Sequence, residues 1–75
     1  MDAAKAFGKV LRKMRLEKGL TQEELGLDAD LRRTYISILE LGNQQPSLTT
    51  IFKLANALDA KATFLIELVE LELNK

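Results

Sequence analysis

Residues 21–42 read TQEELGLDADLRRTYISILELG, and how this stretch divides decides the fold. Thr21 followed three positions on by Glu24 is the reciprocal capping pattern that opens a helix. That helix is short, because Gly26 and two aspartates in GLDADL weaken helix propensity soon after Leu25. A turn falls near Ala29 and Asp30. Aspartate is one of the few residues besides glycine that tolerates a positive φ angle, so Asp30 can supply a tight reversal between two helices. The next helix runs from about Arg32 to Leu41 and stops at Gly42, a glycine just past the helix end.

Upstream, Phe7, Val10, Leu11 and Met14 recur at i, i+3, i+4 and i+7, one face of a helix that ends at Gly19, with Lys18 well placed at the negative end of its dipole. Downstream, NQQP is a loop. Pro46 forbids helix through the residue before it, and Ser47 caps a fourth helix carrying Leu48, Ile51, Phe52, Leu54, Ala55 and Leu58. Asp59 to Lys61 break that helix. The last stretch, TFLIELVELELNK, is apolar at too many positions for one helix face; its sub-run VELEL alternates as a strand would, and helix is the expectation over strand. No repeat, linker or low-complexity segment divides the chain, so residues 1–75 form one domain.

Composition narrows the chemistry. The chain has no cysteine and no histidine, which removes disulfides, thiol chemistry, histidine bases and the usual zinc sites. Glu23 and Glu24 are sequence neighbours that do not converge on a helix, so a carboxylate enzyme is not supported and no catalytic residue, metal or cofactor is implied. No apolar run approaches the roughly twenty residues that span a bilayer, and MDAAKAFGK lacks the order of a signal peptide, so no membrane partner is implied and the expected place is the cytoplasm. Eleven basic and eleven acidic residues cancel, yet they are not mixed. Lys5, Lys9, Arg12, Lys13, Arg15 and Lys18 are opposed in their stretch only by Glu17, Arg32 and Arg33 make a second basic cluster, and Glu67, Glu70 and Glu72 sit in the tail.

With its two short helices and tight turn, RLEKGLTQEELGLDADLRRTYISILELGNQQPSLTTIFKLANALD resembles the Cro/CI-type (XRE-like) helix-turn-helix family, which includes phage repressors and restriction-modification controller proteins. The resemblance covers roughly Val10 to Leu65. Its most specific parts are GLTQEEL, RTYIS, Glu40 with Gly42, and PSLTTIFKLANAL, in the family's order and spacing. It implies an all-α, five-helix, λ-repressor-like DNA-binding domain, with the helix-turn-helix at about 21–41 and the third helix in the DNA major groove. A reading helix needs forked donors and small groups to meet guanine acceptors and the thymine methyl. By resemblance the base-reading positions are Arg32, Arg33, Thr34, Ser37 and Ile38, with Arg33 the strongest for a bidentate contact to guanine. Two cations at a helix start are electrostatically unfavourable unless an anion meets them. Phosphate contacts fall to Arg15, Thr21, Gln22, Tyr35, Asn43, Gln44 and Gln45. The alternative for Tyr35 is a ring that covers the core, that for Gln22 a plain capping-region glutamine, and most of the charge on Lys9, Arg12 and Lys13 serves solubility. Arg15 and Glu40 match the family's structural ion pair between the first and third helices.

Four positions depart from the family pattern: Gly26 where alanine is usual, Asp30 where glycine is usual, and Ile38 and Leu41 where polar or basic residues are usual. The last two are expected to be exposed, facing thymine methyls or a protein. Apolar residues left over in the tail, at about 62–75, imply a homodimer through Phe64, Leu65, Ile66, Leu68, Val69 and Leu71, the alternative being a monomer that buries its last helix. Double-stranded DNA is the implied partner, with two half-sites about one helical turn apart, and no small-molecule ligand is implied. The rival reading is a protein-interaction module of the same fold, an antitoxin or anti-regulator, working through Ile38 and Leu41.

Overall fold

A computed structural model describes all residues, 1–75, as five helices: α1 (Ala3–Glu17), α2 (Gln22–Ala29), α3 (Arg33–Glu40), α4 (Leu48–Ala57) and α5 (Ala62–Leu73). Local chemistry sets the boundaries. The Asp2 side chain caps α1 by accepting from the Lys5 N–H at 2.8 Å. At α2, Thr21 Oγ1 accepts from Glu24 N–H at 3.0 Å while Glu24 Oε1 accepts from Thr21 N–H at 2.9 Å, the reciprocal box expected from the sequence. Ser47 caps α4 through the Thr50 N–H.

Helices α1 to α4 end in one recurring way. Gly19, Asp30, Gly42 and Asp59 all lie in the left-handed region, and the N–H of the following residue bonds the carbonyl five positions back, as from Leu31 to Gly26 at 2.8 Å. Asp59 adopts φ 54°, a role its sequence context showed only as a break. Each reversal satisfies carbonyls that the helix end would otherwise orphan, so five short helices can be joined by very short connections.

Helix α1 is the spine. It packs on both α3 and α5, while α2 packs on α3 and α4, and α4 on α5. Phe7, Val10, Leu11 and Met14 meet Leu25, Ile36, Leu39, Leu54, Leu58, Leu65 and Val69 in a single core. Gly8 lies on the α1 face that meets α3, and its lack of a side chain is what allows the approach. A Cβ there would sit 2.5 Å from the Leu39 carbonyl oxygen and 2.6 Å from that of Glu40. These are backbone atoms at the last turn of α3, with no flexible side chain to yield.

The tail is helical, not a strand, and its phase corrects the expected dimer surface. Leu65 and Val69 are buried in the chain's own core, and Leu68 packs partly against it. A period of 3.6 residues turns only this stripe inward, so Phe64, Ile66, Leu71 and Leu73 remain exposed. Between α5 and α1 lies a groove of about 500 Å³ floored by Val10, Met14, Phe64, Leu68 and Leu71. Glu72 on its rim bonds Lys75 at 2.9 Å and lies 4.0 Å from Lys9. The Lys75 hydrogen bond, and after it the charges of Lys75, Lys9 and Lys13, hold the Glu72 carboxyl below the usual carboxylate range against some desolvation. No helix is long and apolar enough to cross a membrane.

Replacing a helix-interior glycine by alanine ordinarily stabilises a helix by up to about 1 kcal/mol. For Gly8→Ala the clash with α3 should reverse the sign, to a loss of roughly 1–3 kcal/mol in urea unfolding, the range for forced overpacking. A variant as stable as the parent, or more so, would show that α1 and α3 are not held in this approach.

Candidate nucleic-acid interface

Helix α3 has two faces. Ile36 and Leu39 are fully buried, while Arg33, Thr34 and Leu41 are exposed, with Ser37 and Ile38 half-buried at the margins. Turning 100° per residue, positions 33, 34, 37, 38 and 41 share the side opposite the core. Arg32 is the N-cap of α3 and not its first turn, and it supplies no side-chain cap bond. The helix start therefore presents free backbone N–H groups next to two exposed guanidinium groups. Behind it, the turn folds closely onto α2: a Cβ at Gly26 would lie 2.6 Å from the Leu31 carbonyl oxygen. This accounts for Gly26, since the alanine usual there would press on the turn that aims α3.

The opposite end of α3 is clamped. Glu40 accepts from Arg15 Nε at 2.6 Å through Oε2 and from Arg15 Nη2 at 3.0 Å through Oε1. Arg15 Nη1 donates to the Leu20 carbonyl at 2.8 Å. Both side chains are more than nine-tenths shielded, at 8% and 4% exposure. The fork geometry is bidentate, the arrangement in which Arg–carboxylate pairs are strongest and most directional. The Glu40 hydrogen bonds raise the Arg15 guanidinium above its ordinary value, burial works against them, and the Glu40 charge adds to the rise. Because the unfolded value is already far alkaline, Arg15 is charged throughout the neutral range, and its part of the pair would be lost only as pH rises through the still higher folded value.

The ion pair expected between Arg15 and Glu40 is thus present, but the expected phosphate contact of Arg15 is corrected: the side chain is buried and spent on Glu40 and Leu20. Gln22 joins the clamp, its Nε2 donating to Glu40 Oε1 at 3.0 Å across 18 residues of sequence. Nothing in the local sequence signals that bond. Tyr35 is half-buried with its ring against the core, the covering role weighed for it. Ile38 is half-buried and not exposed as expected, standing at one edge of the outer face of α3, whereas Leu41 is 65% exposed. Thr21 is exposed and occupied as a cap acceptor. Asn43, Gln44 and Gln45 form an exposed loop. Lys5 adjoins that loop, its Cγ lying 2.8 Å from where a Gly42 Cβ would stand, which brings a cation to the same edge. Its position was legible only as part of a general basic bias.

Comparison with known proteins gives a consistent picture. A family model described as helix-turn-helix matches residues 11–65. The control protein C.BamHI of Bacillus amyloliquefaciens is 40% identical over 62 residues, 81% of this chain and 76% of that protein. Among solved structures, the restriction-modification controller protein C.AhdI of Aeromonas hydrophila is 42% identical with a TM-score of 0.80, covering 83% of this chain and 94% of that one. The controller protein C.Esp1396I, solved as a tetramer with its natural 35-base-pair operator, is 29% identical with a TM-score of 0.90 over 100% of this chain and 99% of that one.

Removing Glu40 alone leaves Arg15 buried without its partner. Glu40→Ala should cost about 3–5 kcal/mol of unfolding free energy, the range for breaking a buried pair from one side. Chemical denaturation measures it, and a variant that unfolds like the parent would show that the clamp does not seat α3.

Proposed function

This chain belongs to the Cro/CI-type helix-turn-helix family, and on that footing we propose that it is a sequence-specific, DNA-binding transcriptional regulator acting as a homodimer on a pseudo-palindromic operator. The observation that carries the reading is the asymmetry of α3. One end is clamped by a buried ion pair, while the other exposes Arg32, Arg33 and Thr34 around an uncapped helix start. In the major groove Arg33 makes the bidentate contact to guanine O6 and N7, and Arg32 reaches a base or a phosphate. Thr34 and Ser37 bond base edges, and Ile38 lies against a thymine methyl. Thr21 through its hydroxyl hydrogen, Gln22, Asn43, Gln44 and Gln45 hold the phosphate backbone, with Lys5 beside them. C.Esp1396I binds its operator as a tetramer, and a similar use of repeated half-sites suits this chain.

The second subunit covers what the core leaves out. Phe64 and Leu71 are exposed on α5 and border the groove against α1, so an isologous contact there buries apolar surface that a domain this small cannot cover itself. Leu65 and Val69 support the interface from beneath and do not join it.

One observation favours a second reading. Leu41, at 65% exposure, places a large apolar group on the outer face of α3, which suits a protein partner. Salt separates the two, because phosphate contacts make DNA affinity fall steeply with ionic strength and an apolar protein contact does not.

Two experiments test the proposal. Sites selected from random duplex DNA by the parent and by Arg33→Ala should differ at one base pair per half-site, with about 1–3 kcal/mol of specific binding lost; no enrichment by the parent at low salt would reject DNA reading. In sedimentation the parent should run as a dimer and Phe64→Ser/Leu71→Ser as a folded monomer, and a variant that stays dimeric would move the interface elsewhere.

A further inference from the structure

Glu40 accepts three hydrogen bonds, two from Arg15 and one from Gln22, and the third has a consequence at the surface. A glutamine amide carries two N–H donors and one carbonyl acceptor, and Glu40 takes one donor. Gln22 is the first residue of α2 and half-buried, so its amide spans the gap between the shielded carboxylate and the outside. Beside it are the free backbone N–H groups that open α2; the Glu24 N–H is already committed to Thr21.

Resting on the reading of this face as a phosphate-binding one, we infer that Glu40 is a positioning residue for the DNA backbone: it fixes the Gln22 amide so that the second N–H is held outward for a phosphate oxygen. One donor stays on Glu40 and the other meets the phosphate, so the two bonds coexist. A glutamine free on the surface would have to be immobilised on binding, at a cost in side-chain entropy; here the buried carboxylate has already done so. The same carboxylate carries no free charge toward the DNA, because Arg15 neutralises it. The clamp that seats α3 therefore also sets a contact of α2, and both helices are brought to the duplex in one register.

The direct test is NMR on the parent protein with an operator duplex obtained by selection. In the free protein one Gln22 side-chain amide proton should be protected from exchange and the other not; with DNA both should be protected. If the first proton loses its protection when DNA is added, Gln22 has left Glu40 and the inference is overturned. A binding cycle reads the same coupling. Gln22→Met, which keeps length and removes both donors, should weaken operator affinity about tenfold in the parent, the scale of one hydrogen bond to a charged group. In a Glu40→Met background that remains folded, which keeps the length and removes every acceptor oxygen, the further loss should fall to about twofold or less, because the amide is no longer fixed. An equal loss in both backgrounds would mean that Gln22 meets phosphate independently of Glu40, which overturns the positioning role and leaves the DNA reading intact. No loss in either background, with the parent still binding, would remove Gln22 from the interface.

Discussion

The distance between α1 and α3 is the constraint on which the structure depends. Gly8 and Arg15 lie seven positions apart, on one face of α1, and address the same end of α3 in different ways. Gly8 lets the carbonyls of Leu39 and Glu40 come closer than any side chain would permit, and Arg15 then closes on the Glu40 carboxylate. A buried ion pair gains little net stability, since taking both charges out of water costs about what their attraction returns. Its effect is geometric. The bidentate fork accepts one orientation of α3, while the apolar seat under Ile36 and Leu39 alone would tolerate several.

What the sequence made legible follows from how local each cause is. Thr21 with Glu24, Ser47, Gly19, Gly42 and Asp30 act within one helical turn, so their residue types foretold the helix ends. Gly8 acts through a contact 31 to 32 residues away and looks in sequence like a weak point in a helix. The Gln22 bond to Glu40 is equally remote, and a neutral amide leaves no pattern. The tail failed for another reason. When Phe64, Leu65, Ile66, Leu68, Val69, Leu71 and Leu73 are all apolar, periodicity identifies a helix without fixing its phase, and only packing on α1 selects Leu65 and Val69 for the core.

A neutral chain is an unusual candidate for meeting a polyanion, and the arrangement of its charges lessens the difficulty without removing it, since Glu23, Glu24, Asp28 and Asp30 stay exposed on α2 and its turn. Glu40 is buried and matched by Arg15, and Glu72 is held among lysines at the α1–α5 groove, so neither carboxylate opposes an anion at α3. Arg32 and Arg33 stand at the start of α3, with Lys5 near the loop after it. Field lines near a surface follow the nearby charges more than the total, since at physiological salt they are screened within about 8 Å.

The two ends of α3 are therefore built on opposite principles. Its last turn is over-determined by Gly8, Arg15 and Gln22, each of which would resist displacement. Its first turn is under-determined: it has no side-chain cap, and two cations sit where the helix dipole disfavours them by about 0.3–1 kcal/mol each. Such local violations persist in folded proteins where a partner resolves them, and an anion at the helix start would satisfy the free N–H groups and the dipole together. The rigid end makes the strained end affordable, because a helix held firmly at one terminus can present the other in a fixed direction without stabilising it locally.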